Sequence, residues 1–190
     1  MTVEIIDFEL AEAGIAGLLV ATMKQVTDER GTVRELFRRS AFERAGVHLA
    51  PFQQINVTET RRGAVRGLHA EAMAKLVTVA HGEVFGAYVD LRPHSPTFGR
   101  VHTAVLRPGV QVLVPSGVAN GFQSLADATQ YAYCFDAEWA PGMPGLAVCP
   151  LDAELGIEWP LAVDRDDPAQ ISVKDRDAPS FASIREGLRS

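Results

Sequence analysis

The side chains of this 190-residue chain able to move protons, attack electrophiles or bind metals include five histidines, three tyrosines and two cysteines. His69 stands apart from the other histidines because it closes the run Arg66-Gly67-Leu68-His69 and is followed by Lys75. An imidazole titrates near neutral pH and can take or return a proton at carbon, and a nearby ammonium can stabilise the anion left behind. A lone histidine in a strand is more often structural than catalytic, so His69 needs support from its neighbours. His48, His81, His94 and His102 fall in expected turns or at the start of a strand, where a solvated imidazole is the ordinary outcome. Tyr133 alternates with Tyr131 and Phe135, the period of one strand face, and on that pattern alone reads as core packing. Cys134 and Cys149 make neither a disulfide framework nor a zinc-ligand set and read as buried thiols.

The elements that must position these residues are strands. From Leu76 to Phe135, short apolar, β-branched runs are broken by turn residues at His81-Gly82, Arg107-Pro108-Gly109, Pro115-Ser116-Gly117 and Ala126-Asp127-Ala128. Turn signals at this spacing, with no crossover helix between them, predict an all-β jelly-roll sandwich or barrel with a few short peripheral helices. Upstream, GTVRELF and the stretch from Phe52 to Ala70 read as further strands. Ser40-Ala41-Phe42-Glu43 has capping-box spacing for a short helix. Beyond Trp159 the chain turns polar and rich in aspartate, and FASIREGLRS at its end predicts a helix packed on the sheets. One domain over 1–190 is expected, with its core at about 28–160 and the tail 161–190 packing back to the site.

A formal net charge of -6 argues against a nucleic-acid partner, so any anionic ligand must meet a local cluster of cations. With 47% hydrophobic and 22% charged residues and no apolar run of membrane-spanning length, the chain has an ordinary globular composition with no membrane partner. The opening MTVEIIDFEL carries acids and lacks a basic segment before an apolar one, so the cytoplasm is the expected compartment.

Spacing tests the metal reading. Gly109-VQVLV-Pro115-Ser116-Gly117-Val118-Ala119-Asn120 has the G(X)5PXG(X)2H spacing of the second cupin motif, with Asn120 where the metal-binding histidine would stand. The first motif requires two histidines one residue apart with a glutamate shortly after, and the match offers His69, Ala70 and Glu71 alone. An amide oxygen is a poor replacement for imidazole at such a site, and one histidine does not hold an iron. A cupin-like jelly-roll barrel without metal is the expectation.

Several runs then occur in a recognisable order: Asp28-Glu29-Arg30-Gly31 with Glu35; Gln54-Ile55-Asn56; Gly63 to His69; Lys75-Leu76-Val77; Val89 to Arg92; Ser95-Pro96-Thr97-Phe98-Gly99; Tyr133 to Trp139; and Ile171 to Asp175. In this order and spacing the chain resembles the dTDP-4-dehydrorhamnose 3,5-epimerase family over most of its length. The resemblance implies a homodimeric jelly roll that epimerises C3 and C5 of a 4-keto-6-deoxy sugar linked to dTDP, with no cofactor. It implies His69 as the base, Asp175 as the carboxylate that fixes its tautomer, Tyr133 as the acid on the opposite face and Lys75 as the cation at the enolate oxygen. Arg30 and Arg66 become the partners of the diphosphate, and Glu35, Gln54, Asn56 and Asn120 complete the substrate-binding set. Asp177 competes with Asp175 two residues on. Arg61 and Arg62 read as solvated turn residues.

The chain departs from that family pattern in places. The segment between His69 and Lys75 is shorter than usual; Val33 replaces an aromatic residue, Gly86 an acidic one, Asn120 an imidazole, and Trp139 a tyrosine. These changes touch packing and hydrogen bonding around the reacting centre, so the chemistry is better determined than the substrate. Inversion at C3 alone or C5 alone stays open, as do a silent nucleotide-sugar-binding cupin, a metal-dependent cupin enzyme and a sugar 3,4-ketoisomerase. Retention of His69, Tyr133 and Lys75 speaks against the first rival, and Asn120 against the second.

Overall fold

The structure is a computed structural model and describes residues 2–188. In chain order its strands are β1 (Glu4–Ile6), β2 (Glu9–Glu12), β3 (Leu19–Thr22), β4 (Gln25–Asp28), β5 (Gly31–Arg34), β6 (Gln54–Thr60), β7 (Val65–Glu71), β8 (Lys75–His81), β9 (Val84–Asp90), β10 (Val101–Leu106), β11 (Val110–Val114), β12 (Val118–Ser124), β13 (Thr129–Phe135) and β14 (Gly145–Ala147). Helices among the described residues are α1 (Arg39–Arg44), α2 (Val173–Arg176), α3 (Phe181–Gly187) and a 3-10 turn at Ala153–Leu155. The two large sheets run β10-β9-β12-β7-β14 and β2-β3-β11-β8-β13-β6, with a small third sheet β1-β4-β5. Their strand pairings are antiparallel, so the chain forms the expected cupin-like jelly roll with short peripheral helices.

Alternation along the strands sends side chains to three cores. Val77, Val112, Val114, Tyr88, Phe122 and Tyr131 fill the space between the two large sheets. Leu68, Ala87 and Val89 point the other way, under Val148, Leu155 and the α3 residues Phe181 and Ile184. Leu76, Leu113 and Cys134 face out of the six-stranded sheet and are covered by Phe42, with Phe8, Phe37 and Phe52 beside it. Cover on both faces explains why Lys75–Val79 and all of β12 are buried without a break, where a sheet wetted on one side would alternate.

Two boundaries differ from the sequence expectation. The six-stranded sheet begins well before residue 28, because β3 pairs with β11 and β2 with β3. Helix α1 starts earlier than the capping-box spacing predicts: its N-cap is Arg38, with no side-chain cap bond, and Ser40 lies inside the first turn. Burial of Phe42, 5.0 Å from the Phe8 ring and 5.8 Å from that of Phe37, anchors the segment in place of a cap. The terminal helix does carry its cap, Ser180 accepting from the Ser183 N–H; its expected last residues, 189 and 190, lie outside the described residues. No helix among the described residues is long and apolar enough to cross a membrane.

Candidate active site

Simple alternation would put Arg66 and His69, three residues apart, on opposite faces of β7. A bulge reverses this. Asn120 of β12 lies opposite His69 and Phe122 opposite Arg66, so Gly67 and Leu68 together face Gly121 alone. Arg66 and His69 thereby line the same cavity. The bulge requires glycine on both strands: a Cβ on Gly67, at φ 111°, would stand 2.6 Å from Gly121 Cα, and one on Gly121 would stand 2.6 Å from the Arg66 carbonyl oxygen.

The cavity, about 440 Å³ in volume, lies between β7 and β12 on one side and β6, β8 and β13 on the other, and residues 168–172 with Lys174 and Asp175 close it. That size suits a small-molecule ligand. The tail is drawn in through its backbone: the Val65 N–H donates to the Gln170 carbonyl at 2.7 Å, and Val65 bridges Ile171 in parallel. Ser172 then caps α2 by accepting from the Asp175 N–H.

The result places Asp175 Oδ1 2.7 Å from His69 Nε2, while Oδ2 accepts from the Gly67 N–H at 3.4 Å. Burial alone would raise the Asp175 carboxyl, but the bonds from His69, Gly67 and Ser172 outweigh it and hold the group below the ordinary carboxylate value. An ionised Asp175 orients the imidazole and leaves Nδ1 to meet a ligand. Asp177 is instead forked by Arg176, 2.7 Å from its Nε, at the surface.

Lys75, 3% exposed, opens β8 directly under this pair. Its Nζ donates to Asn120 Oδ1 at 2.7 Å and to the His69 carbonyl at 3.2 Å, and it contacts the Glu71 carboxylate. Burial pulls the ammonium below its ordinary value, with Glu71 opposing. Burial also pushes the Glu71 carboxyl up, but Lys75 and His69 together hold it below its usual value. Tyr133 belongs to the inward face of β13, stacked on Phe135 at 5.6 Å and edge-on to Tyr131 at 4.8 Å. Burial drives its phenol well above the ordinary range, Arg66 and Thr58 opposing and Glu71 and Asp175 adding to the rise. Such a phenol carries its proton at neutral pH and so has one to give.

Of the other expected residues, Asn56, Arg66 and Asn120 line the cavity. Arg66 Nε donates to Thr60 Oγ1 at 3.0 Å. Gln54 sits beside the cavity, its Nε2 donating to Asn56 Oδ1 at 3.0 Å and its Oε1 accepting from the Trp139 N–H at 2.7 Å. Arg30 and Glu35 are not brought to the site within this chain. The Arg30 side chain is 87% exposed and forks onto Asp28, and Glu35 pairs with Arg38 beside a separate cavity of about 510 Å³. Both sit at the small third sheet, away from the walls of the main pocket.

Sequence reasoning left out Thr58, Lys174 and Glu71, which also line the cavity. Lys174 had a signal in its place next to Asp175, and Glu71 had one in its spacing to Lys75. The departures are placed as well. The short connection is a three-residue turn, 72–74, held by the Ala72 N–H on the Pro144 carbonyl at 3.0 Å and the Ala74 N–H on Asp136 Oδ1 at 2.9 Å. At Gly86 a Cβ would stand 2.8 Å from the Tyr88 hydroxyl, so the tyrosine fills the side where an acid is usual. Val33 is 73% exposed, and Trp139, 52% exposed, lines the mouth of the cavity. Among the described residues no three His, Cys, Asp or Glu side chains converge as a metal site.

A jelly roll that surrounds one cavity with an imidazole–carboxylate pair, a buried lysine and a protonated phenol is a cupin-type protein equipped for proton transfer. The family model for dTDP-4-dehydrorhamnose 3,5-epimerase matches residues 12–183. A dTDP-4-dehydrorhamnose 3,5-epimerase of Pseudomonas aeruginosa is 39% identical over 163 residues, 82% of this chain and 86% of that protein. A dTDP-4-dehydro-6-deoxyglucose 3-epimerase of Streptomyces bikiniensis is 35% identical over 169 residues, 85% of this chain and 84% of that protein. The crystal structure of a 4-keto-6-deoxy sugar epimerase from the novobiocin gene cluster of Streptomyces spheroides superposes with a TM-score of 0.88 at 31% identity, covering 96% of this chain and 92% of that one. The chain belongs to the dTDP-4-dehydrorhamnose 3,5-epimerase family, whose members are isomerases.

Proposed function

We propose that the protein inverts C3, C5 or both in a 4-keto-6-deoxy sugar carried on dTDP, by proton transfer through an enolate. His69, oriented by Asp175, takes the proton from the carbon next to the ketone; Lys75 meets the oxygen as it gains charge; Tyr133, on the facing sheet, returns a proton to the other side of the carbon. One proton leaves the carbon and one arrives, and exchange with water then takes the proton from His69 and restores that of Tyr133. The observation that carries the reading is the 2.7 Å His69–Asp175 pair, made across 106 positions of chain and facing a cavity that Tyr133 also lines. Arg66 and Lys174 are the cations for the diphosphate, and Gln54, Asn56 and Asn120 supply the remaining hydrogen bonds. This reading is favoured over a silent binding protein because His69, Lys75 and Tyr133 line one cavity, with Asp175 paired to the imidazole and Glu71 to the ammonium.

The working form in this reading is a cytoplasmic homodimer in which Arg30 and Glu35 serve the site of the second copy. Exposed Ile5, Val33, Ile55 and Val57, together with the open edge of the six-stranded sheet at β6, support it. The test is NMR of dTDP-4-keto-6-deoxyglucose incubated in deuterated water. Deuterium is expected at C3, C5 or both, falling by about a thousandfold in rate with His69→Ala. No exchange with the wild type would overturn the epimerase reading, and a moved carbonyl would assign a ketoisomerase.

A further inference from the structure

The tight turn after β7 has a chemical result. Three residues, Ala72, Met73 and Ala74, carry the chain from the five-stranded sheet to the six-stranded one, so that Glu71 ends one strand and Lys75 begins the next. Met73 is 2% exposed and both flanking amides are bonded, so the turn is pinned. The two side chains meet inside the cavity, Lys75 at 4% and Glu71 at 22% side-chain exposure. Around Lys75 the His69 carbonyl on β7 and the Asn120 amide on β12 accept from its ammonium, and the Tyr133 phenol and Phe135 ring on β13 line the same cavity. The other ionisable groups that line it are Arg66 and the His69 imidazole on β7 and Lys174 and Asp175 on α2, and His69 helps to hold the Glu71 carboxyl down. Asp175 on α2 is engaged by His69, and Asp136 after β13 by the Ala74 amide.

We propose that Glu71 is a positioning residue, the counter-ion that keeps Lys75 a cation inside the closed pocket. The need follows from magnitudes. Full burial lowers a lysine by about 3–5 pH units, enough to leave it neutral near physiological pH, while an adjacent carboxylate restores about 1–3. A neutral amine would offer the enolate oxygen a weak hydrogen bond in place of a full charge. A carboxylate beside a developing enolate costs some repulsion, and its opposite charge on Lys75 offsets that by preserving the cation. The role of Lys75 rests on the function proposed above; the ion pair and its effect on titration do not.

The experiment reads Lys75 directly, without substrate. Lys24, Lys75 and Lys174 are the three lysines of the chain, so 13Cε-labelled lysine gives three assignable resonances whose titration can be followed by NMR in wild type, Glu71→Gln and Glu71→Asp. The Lys75 midpoint is expected to fall by about one pH unit or more in Glu71→Gln and to recover in part in Glu71→Asp, with Lys24 and Lys174 unmoved. Should the variants not fold, wild-type Lys75 must show a second, acid-side inflection where the 13Cδ of Glu71 titrates. An unmoved midpoint in Glu71→Gln, or no such inflection, overturns the proposal. The alkaline limb of deuterium exchange at the sugar is then expected to retreat to lower pH by the same interval. Absence of any exchange beside a moved Lys75 midpoint would sink the epimerase reading and leave the counter-ion role standing.

Discussion

Two buried aspartates in this protein solve the same electrostatic problem to different ends. Asp90, wholly buried at the end of β9, accepts from Arg92 Nε at 2.8 Å, Arg92 Nη2 at 2.7 Å, Ser95 Oγ at 2.5 Å and Thr97 Oγ1 at 2.6 Å. Burial alone would raise it, yet these bonds and the Arg92 N–H bring it down to about 2. Asp175 is also held down, but by one weak backbone amide, a capping contact and an imidazole whose other nitrogen is left for a ligand. One carboxylate is saturated by its own loop and can do nothing else; the other passes its orientation on to a group that faces a cavity. Arg92, Ser95 and Thr97 belong to the family resemblance as fully as His69 does, and the structure shows that their work is to hold the loop after β9. A motif residue can thus mark a shared scaffold as readily as shared chemistry.

The comparison can be broken by neutralising each carboxylate. Asp175→Asn is expected to slow exchange at the sugar by about a hundredfold or more, because an amide can donate to Nε2 and hold the imidazole proton on Nδ1, where the substrate proton must arrive. Its melting temperature should move little, and a large drop in stability with unchanged exchange per folded molecule would exchange the roles assigned here. Asp90→Asn should do the opposite: a loss of roughly 2 kcal/mol in denaturant unfolding, with the exchange rate of the folded protein retained.

Acid titration gives the smallest effect and sharpens the contrast. The native Asp90 carboxyl protonates near pH 2 and an unfolded one near 3.8, so its contribution is whole above about pH 4 and is lost as pH falls between those values. The stability gap between wild type and Asp90→Asn should therefore close over that window, as unfolding curves taken stepwise from pH 5 down to 2 would record. A gap independent of pH would mean that packing, and not charge, holds the loop. Asp175 has the same sign of shift, so its share also fades toward acid pH.

Much of the fold was readable before the structure. β13 spans Thr129–Phe135 as the turn at Ala126-Asp127-Ala128 and the run to Phe135 indicate, and the inward row Tyr131, Tyr133 and Phe135 follows from alternation. The start of α1 was misjudged because the packing of Phe42 against Phe8 and Phe37 supplied the anchor that a capping box suggests. The early strands β2 and β3 were missed because only the pairing of β3 to β11, and of β2 to β3, makes them part of the sheet. In the site, residues flagged by their motifs were found together, with Arg30 and Glu35 the exceptions. Glu71 went unassigned because its meaning depends on the length of a turn between two sheets.

By itself the sequence determined the periods, the turns and the order of the motifs, because alternation and turn chemistry act over a few neighbouring residues. The tertiary structure alone decided which face His69 occupies, through a bulge of two glycines on different strands; which aspartate reaches it, through a backbone bridge from β7 to the tail; and that Lys75 is buried beside a carboxylate. Each depends on surfaces brought together from distant positions, where exclusion of water sets both the geometry and the charge.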